Sequence, residues 1–317
     1  MKQPNDLLKL SITSEEEFSD SISRKSCQAV IVTYNPNLDQ LCELLCSLGP
    51  QVAGVVLVDN ASVGIDWGRI DSLSPDNLKI DLIKLENNVG LGGGLNVGIN
   101  FSRKLNFPFL LLLDQDSLPN SMMVSKLHMA YERLNTASAV AAVGPRFIDP
   151  ISGHSSKFKT STGGYQGGFA EVDFIITSGS YIPTSTFDRI GEFDEGLFID
   201  YVDAEWCFRA RKFGMKVFGV DDATMTHSLG ESRIRIWLFR WRSISLHRSF
   251  RYYFIFRNWF HLSKKSYVPF RWKLINFYKL LGLSLVIGTL GESKFSNLKM
   301  ALRGVLAGIL KDEGPLL

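Results

Sequence analysis

The stretch at residues 109–116, FLLLLDQD, places five apolar residues directly before Asp114 and Asp116, which a single glutamine separates. A short apolar run bounded by polar residues is typical of a buried strand. Two carboxylates at a strand end can bind one divalent cation, and their oxygen atoms suit Mg²⁺ or Mn²⁺. The stretch therefore predicts a strand that ends either at a metal site or at a polar turn built from two aspartates.

Three similar apolar runs lie upstream: QAVIVTY at 28–34, GVVLV at 54–58 and IDLIKL at 80–85. Leu and Cys have helical spacing at 38–48, and a glycine-rich turn leads into a predicted helix at 90–105. Strands and helices that alternate in this way predict a parallel sheet with helices on both faces. We therefore predict an α/β fold with a Rossmann-like, mostly parallel central sheet, in which ligands bind at the carboxyl ends of the strands.

Polar residues follow the second and third of these strands. Asp59 and Asn60 end the second strand, where Asp59 could accept a hydrogen bond from a pyrimidine N–H or simply form an Asx turn. The segment NVGLGGGLN at 88–96 resembles a phosphate loop at a helix start, but its spacing fits neither G-x-G-x-x-G nor a Walker loop. Its glycines could also let a helix pack closely on the sheet. We expect a mixture of the two, with Asn88 and Gly90 near the ligand.

Three acids, Asp200, Asp203 and Glu205, stand close together further along the chain. In a helix, Asp200 and Asp203 would share a face, while Glu205 would diverge from them. A carboxylate in a cleft could act as general base for an acceptor hydroxyl, although a solvated acidic face would have the same pattern. His227 follows a strand predicted at 216–220. A lone histidine is usually structural, and His227 becomes a candidate metal ligand only beside the aspartate pair.

The second half of the chain has a looser pattern. Residues 140–143 and 174–176 are predicted to form strands, with a surface loop at 152–168 between them. Residues 187–218 are predicted to mix a turn with a helix.

The composition fits a globular protein, because 45% of the 317 residues are hydrophobic and 21% are charged, which excludes a wholly disordered chain. The four cysteines include no Cys-x-x-Cys pair and fit a reducing cytoplasm. The acidic N-terminal segment does not resemble a signal peptide.

The charge is distributed unevenly along the chain. Residues 233–317 contain 16 Lys and Arg against 3 Asp and Glu, although the net charge of the whole chain is only +3. The mixture of Arg, Trp and Phe at 233–273 predicts a helix that lies in a membrane interface. A nucleic-acid surface and a helix pair that packs on the α/β domain or forms a dimer are the alternatives. The apolar run at 280–291 is too short to span a bilayer, which needs about 20 residues.

Taken together, six segments resemble family 2 glycosyltransferases of the GT-A fold, and within that family the bacterial rhamnosyltransferases. The resemblance covers about residues 27–230, and the segments occur in the order VTYNP (32–36), VDNAS (58–62), NNVGLGGGLNVGI (87–99), LLDQDS (112–117), SGSYIP (178–183) and GEFDEGLFIDYVDAEWCFRA (191–210). It implies a catalytic domain at 27–232, with a nucleotide-binding half at 27–117 and an acceptor half at 118–232. A 1–26 extension would precede this domain, and a basic, aromatic, helical region would follow at 233–317.

The resemblance also implies roles for particular residues. Asp203 would be the catalytic base; where many members have Glu-Asp, this chain has Val202-Asp203, and Asp200 would substitute for the missing acid. Asp116 and His227 would bind the metal, Mg²⁺ or Mn²⁺. The nucleotide sugar would be bound by Thr33, Asn35, Asp59, Asn60, Asn88, Gly90, Asp114 and Gln115.

The implied reaction is the inverting transfer of L-rhamnose from dTDP-L-rhamnose to a hydroxyl of a cell-surface glycan or lipid-linked glycan. Another nucleotide sugar, carrying galactofuranose or a hexose, is the alternative on the same scaffold. A nucleotide or nucleic-acid binding module that uses the basic tail is the alternative of another class, although nucleic acid is not the expected partner.

The expected location is cytoplasmic, at the inner face of the bacterial inner membrane, where the protein would contact anionic lipid peripherally. Homo-oligomers remain an open alternative.

Overall fold

The computed structural model describes residues 25–316 apart from short gaps at 74, 76–77, 150–152, 154, 156, 159, 228–231, 238–240 and 291–292. The predicted N-terminal extension lies almost wholly outside the described residues. The strands lie at Cys27–Thr33 (β1), Gly54–Asp59 (β2), Ile80–Lys84 (β3), Phe109–Asp114 (β4), Ser117–Pro119 (β5), Val140–Ile148 (β6), Thr160–Gln166 (β7), Phe169–Val172 (β8), Ser180–Pro183 (β9), Lys216–His227 (β10), Ser232–Trp237 (β11) and Trp241–Leu246 (β12). The α-helices lie at Leu38–Leu48 (α1), Gly68–Leu73 (α2), Gly90–Lys104 (α3), Met123–Asn135 (α4), Thr184–Ile190 (α5), Val202–Lys212 (α6), Ser249–Lys264 (α7), Phe270–Thr289 (α8) and Lys294–Leu310 (α9).

One large sheet has the strand order β3-β2-β1-β4-β9-β6-β10-β8-β7, with β5 paired to β10. β1 is flanked by parallel strands on both sides, β2 and β4, and β3 pairs in parallel with β2. Beyond β4 the sheet is mixed, because β9 runs antiparallel to both β4 and β6. The predicted α/β fold is confirmed, and the parallel arrangement describes its first four strands.

Side chains of the central strands alternate between the two faces of the sheet, as strand geometry requires. Val30 and Leu112 belong to the core on the side of α3, whereas Ile31 and Leu111 belong to the core on the side of α1 and α4. All four side chains are fully buried. Because both faces are covered, these strands are continuous apolar runs rather than alternating ones.

Two predictions for the second half of the chain are wrong. Residues 174–176 form a loop between β8 and β9, and the segment is apolar because Ile175 is buried against Gly144. The predicted surface loop at 152–168 contains strand β7, which pairs antiparallel with β8.

The region after β10 is not wholly helical. β11 and β12 form a separate antiparallel hairpin, in which Ser232 pairs with Leu246 and Trp237 with Trp241. The helix predicted from residue 233 onward is therefore wrong as far as residue 246. The alternation of Arg and Ile at 233–236 has the two-residue period of a strand. Helices α7, α8 and α9 then follow.

Helix α7 is built into the body of the protein. Arg257 and Asn258 of this helix are fully buried. Their side chains donate to backbone carbonyls of neighbouring segments at 2.6–3.0 Å, namely those of Gly196, Leu197, Ile199, Asp200 and Gly314. These bonds hold the loop that leads into α6 against α7. Among the interpretations of the basic tail, packing on the catalytic domain therefore holds for α7.

Candidate active site

The carboxyl ends of β1, β2 and β4 lie side by side at one edge of the sheet, because the three strands are parallel neighbours. β4 ends at Asp114, and the chain continues through Gln115 and Asp116 into β5. β5 pairs antiparallel with the end of β10, which places His227 opposite Ser117. The sheet thus brings together side chains from segments that lie 110 residues apart in the chain.

Asp114, Asp116 and His227 form a cluster that could hold a metal ion. Their ligand atoms all lie within 4.8 Å of one another. Nε2 of His227 lies 3.8 Å from Oδ2 of Asp114, and Nδ1 lies 3.7 Å from Oδ1 of Asp116. Two carboxylates and one imidazole are a donor set that suits a divalent cation such as Mn²⁺ or Mg²⁺. The structure thus brings His227 beside the aspartate pair, as the hypothesis of a third ligand requires.

Two serines support this cluster. Oγ of Ser117 lies 3.0 Å from Nδ1 of His227 and 2.6 Å from Oγ of Ser178. Ser178 Oγ also accepts a hydrogen bond from the backbone N–H of Asp114 at 3.1 Å. Both serines are buried. Sequence reasoning gave them no role, because only the pairing of β5 with β10 and the turn before β9 bring them together.

Electrostatic interactions within the cluster centre on Asp114. Burial raises the pKa of Asp114 to about 6, while the imidazole of His227 opposes this rise, the carboxylate of Asp116 adds to it and the guanidinium of Arg251 opposes it. The side chain of Asp116 is more open, with 46% of its area exposed against 33% for Asp114. Two carboxylates in such proximity favour a bound cation, because a positive charge relieves their repulsion.

Asp203 lies in the first turn of α6, which begins at Val202. Its Oδ1 accepts a hydrogen bond from the backbone N–H of Ala204 at 2.7 Å. Burial raises the pKa of Asp203 to about 6; the Ala204 hydrogen bond opposes this rise, and the negative charges of Asp200 and Asp114 add to it. Such a carboxylate is ionised at neutral pH yet more basic than an ordinary aspartate, which suits a general base.

Asp200 does not share a helix face with Asp203, so that expectation is wrong. Asp200 and Tyr201 both have left-handed backbone angles, with φ of 65°, and the helix starts only after them. The carboxylate of Asp200 instead pairs with the guanidinium of Arg251 in α7, at 2.5 Å. Sequence reasoning missed Arg251 as a site residue, since it lies among many cations of the tail and 51 residues from its partner.

Glu205 is not part of a solvated acidic face. Its side chain is 1% exposed and accepts hydrogen bonds from the guanidinium of Arg209 at 2.9 and 3.1 Å. The hydroxyl of Tyr267 donates to the same carboxylate, and Nζ of Lys265 lies 3.7 Å from it. Glu205 therefore anchors α6 to the segment that follows α7.

The residues implied for the nucleotide surround the ends of β1 and β2. Thr33 and Asp59 are partners in the β1–β2 ladder and are buried. Oδ1 of Asp59 accepts a hydrogen bond from the backbone N–H of Ser62, three residues on, at 3.1 Å, so this carboxylate stabilises the turn that follows β2. Asn35 donates its backbone N–H to Oγ of Ser62, and its Oδ1 accepts from the N–H of Val63. These hydrogen bonds connect the turn after β1 to the turn after β2.

Amide side chains at this edge bind other parts of the protein. Asn60 donates to Oδ1 of Asn88 and to the carbonyl of Gly90, both at 3.0 Å. Gln115 accepts the backbone N–H of Tyr34 at 2.8 Å. The amides thus stabilise the turns at this edge of the sheet, and their direct contact with a ligand stays a prediction.

The glycine-rich segment allows α3 to approach its neighbours closely. Gly90 has φ 78°, and a Cβ there would lie 2.5 Å from the carbonyl oxygen of Phe198. A Cβ at Gly98 would lie 2.3 Å from Cγ1 of Val30. Of the mixture predicted for this segment, close packing of a helix on the sheet is confirmed.

The chain is similar to known proteins both in sequence and in structure. Residues 28–190 match the model of glycosyl transferase family 2. The chain is 33% identical over 294 residues to the dTDP-rhamnosyl transferase RfbF of Shigella flexneri, covering 89% of this chain and 94% of that protein. Its structure is similar to that of S. aureus TarS 1-349 in complex with UDP-GlcNAc, with a TM-score of 0.51, 13% identity, and coverage of 90% and 92% of the two chains. It is also similar to GalNAc-T7 with UDP, GalNAc and Mn²⁺, with a TM-score of 0.54, 15% identity, and coverage of 64% and 44%.

The likeness to the two solved structures establishes the fold, an α/β architecture of the GT-A type. The chain belongs to glycosyltransferase family 2, as its motifs indicated, and it is therefore an enzyme that transfers a glycosyl group. A binding module without catalytic activity would not account for this membership.

Proposed function

We propose that this enzyme transfers L-rhamnose from dTDP-L-rhamnose to a hydroxyl group of a glycan or lipid-linked glycan, with inversion at the anomeric carbon. The choice of donor is supported by the similarity to a dTDP-rhamnosyl transferase along nearly the whole of both chains. The observation that supports the chemistry is the convergence of Asp114, Asp116 and His227, together with Asp203, whose raised pKa includes a contribution from the charge of Asp114.

Asp203 is the proposed general base. Its carboxylate takes the proton of the acceptor hydroxyl while that oxygen attacks the anomeric carbon. The bond between the anomeric carbon and the phosphate oxygen breaks in the same step, and dTDP leaves from the opposite face. A single displacement inverts the configuration and needs no covalent sugar–enzyme intermediate.

Asp116 and His227 are the proposed cation ligands, with Asp114 beside them. The three side chains already converge, and their oxygen and imidazole donors fit Mn²⁺ or Mg²⁺. A bound cation would neutralise the charge that develops on the diphosphate leaving group. The structure of GalNAc-T7 contains UDP and Mn²⁺, which supports the proposal that this chain binds a nucleoside diphosphate and a divalent cation.

The nucleotide is proposed to bind where β1, β2 and β4 end. One oxygen of Asp59 is held by Ser62, and we assign its carboxylate to the imide N–H of the thymine ring. We also assign Thr33, Asn35 and Asp114, which lie at the ends of β1 and β4, to contacts with the nucleotide sugar. Asn60, Asn88, Gly90 and Gln115 shape the surrounding turns.

Asp200 is proposed as a positioning residue rather than as a second base. Its carboxylate is paired with Arg251, which leaves it poorly suited to take a proton from an acceptor. The pair holds the guanidinium of Arg251 close to the acidic cluster, where its charge acts on Asp114.

The proposal is tested with purified full-length protein, Mn²⁺ or Mg²⁺, and a panel of dTDP-L-rhamnose, UDP-galactofuranose, UDP-glucose and UDP-galactose. Release of nucleoside diphosphate and the mass of glycosylated products are measured with extracted bacterial glycans as acceptors. Turnover that is restricted to dTDP-L-rhamnose is the expected result. Turnover with a UDP-sugar and none with dTDP-L-rhamnose would exclude the proposed donor.

A further inference from the structure

Exposed apolar side chains are concentrated in the last two helices. Among the described residues, 23 large hydrophobic side chains are exposed, and 14 of these lie between residues 270 and 310. Single exposed apolar residues are normal on a protein surface, whereas a concentration of them marks an interaction site.

The exposed positions follow the helical period. In α8 they include Phe270, Leu274, Phe277, Leu281 and Leu285. In α9 they include Phe295, Leu298, Leu302, Leu306 and Ile309. Spacings of three and four residues place each set along one side of its helix. We call these two sets the exposed stripes.

The inner sides of both helices are already packed. Leu280 and Ile287 of α8 and Ala301 of α9 are buried in one cluster with residues of α7. A Cβ at Gly304 of α9 would lie 2.2 Å from the carbonyl oxygen of Tyr253, so α9 lies directly on α7. The exposed stripes are therefore a second apolar surface, which the described part of the chain leaves exposed.

Cations accompany the exposed stripes. Residues 270–311 contain seven Lys and Arg and one acidic residue, Glu292. Six of these cations are exposed, namely Arg271, Lys279, Lys294, Lys299, Arg303 and Lys311. Helices that carry both exposed apolar side chains and exposed Lys and Arg match a surface with an apolar interior and anionic headgroups. A second copy of the chain would instead bring the same cations together, which opposes a symmetric dimer through this face.

We propose that the exposed stripes of α8 and α9 dock the enzyme on the surface of an anionic lipid bilayer. None of the described helices combines the length and the apolar character that a membrane-spanning segment needs, so this docking has both helices lying in the interface. The contact surface differs from the one predicted at 233–273, because Tyr252, Phe254 and Phe256 of that segment are buried inside the protein. The inference goes beyond the transfer reaction and does not depend on the sugar donor.

Vesicle co-sedimentation of the full chain without donor tests this proposal. Vesicles of phosphatidylcholine alone are compared with vesicles that also contain phosphatidylglycerol. Wild-type protein should bind the anionic vesicles more tightly, and salt should weaken this binding. The triple variant Leu285→Glu, Phe295→Glu and Leu302→Glu should bind at least about tenfold more weakly. Leu105→Glu, which adds a charge at an exposed leucine of the catalytic domain, should bind like the wild type.

Melting temperature and donor turnover identify a variant that misfolds. If the triple variant melts early, the pair Lys294→Glu and Lys299→Glu replaces it, and this pair should also weaken binding to anionic vesicles. Equal binding of wild type and folded variants, or no binding of the wild type, would overturn the proposal. A wild-type dimer in light scattering that the triple variant converts to a monomer would also overturn it and assign the stripes to an interface between copies.

Discussion

The guanidinium of Arg251 in α7 lies 2.5 Å from the carboxylate of Asp200, three residues before Asp203. Its positive charge also acts on Asp114, where it opposes the rise in pKa that burial causes. The helices after the catalytic sheet therefore contribute a charged group to the candidate site. The proposed function assigns this group to positioning, and the first prediction tests that assignment.

Asp200→Asn should lower kcat about 10- to 100-fold, because the neutral amide holds Arg251 less firmly near the cluster. The pH at which activity falls on the acid side should move slightly lower, because the negative charge of Asp200 contributes to the raised pKa of the base Asp203. Initial rates across pH measure both quantities. Asp39→Asn is the matched control, because Asp39 pairs with Arg69 at 2.7 Å on an exposed surface and should keep full activity. Loss of the acid limb in Asp200→Asn, with a fall in kcat as large as that of Asp203→Asn, would mean that Asp200 itself takes the proton.

Because the pKa of Asp203 is raised in the folded protein, the effect of this residue on the free energy of unfolding should depend on pH. Its pKa is about 6 in the folded protein against 3.8 for an ordinary aspartate, so the folded state binds more protons between these values. The charged carboxylate therefore costs stability as pH rises through this window. Asp203→Asn removes the charge and keeps an oxygen for the Ala204 N–H. It should melt above the wild type near pH 8, and the difference should shrink toward about pH 4. A melting difference that is independent of pH would contradict the burial of this charge.

Chelation tests the cation site. EDTA should abolish sugar transfer, and Mn²⁺ or Mg²⁺ should restore it, because Asp116 and His227 would hold the cation against the leaving group. Asp116→Asn should weaken Mn²⁺ binding, measured by titration calorimetry in the presence of dTDP. Full activity in EDTA with a metal-free preparation would exclude the proposed role of the cluster.

Because α3 packs closely on β1, a larger residue at Gly98 should disturb the packing between them. Gly98→Ala should lower the free energy of unfolding by about 1–3 kcal/mol, because its Cβ would lie 2.3 Å from Cγ1 of Val30. Gly282→Ala in α8 is the matched control, since a Cβ there has nothing within 4 Å and alanine favours the helix. Urea unfolding of both variants measures the difference. Equal stability of the two variants would show that α3 can move away from the sheet.

The sequence predicted the first half of the fold because each buried strand there is a continuous apolar run. The apolar runs that end at Thr33, Asp59 and Asp114 predict three strands. They also predict the edge of the sheet at which the polar residues lie. The aromatic and basic residues at 233–246 predict a helix, whereas the alternation of Arg and Ile at 233–236 has the period of the strand that forms there. The apolar residues around Ile175 predict a strand, but this segment is a loop in which Ile175 packs against Gly144.

The sequence predicts only those parts of the candidate site whose residues are close together in the chain. Asp114 and Asp116 are neighbours in sequence, and their chemistry could be inferred from spacing alone. His227 joins them only because β5 and β10 pair, and Ser178 only because of the turn before β9. Arg251 reaches Asp200 across 51 residues, through the packing of α7 on the loop before α6. Such contacts are properties of the tertiary structure and leave no local pattern.

The most direct test of the proposed reaction is the product formed from dTDP-β-L-rhamnose, analysed by mass spectrometry and by NMR of the anomeric proton. Wild-type protein should give an α-L-rhamnoside, and Asp203→Asn should form this product at least about a thousandfold more slowly while still binding dTDP. A β-linked product, or an Asp203→Asn variant that retains most of the activity, would contradict single displacement with Asp203 as the base.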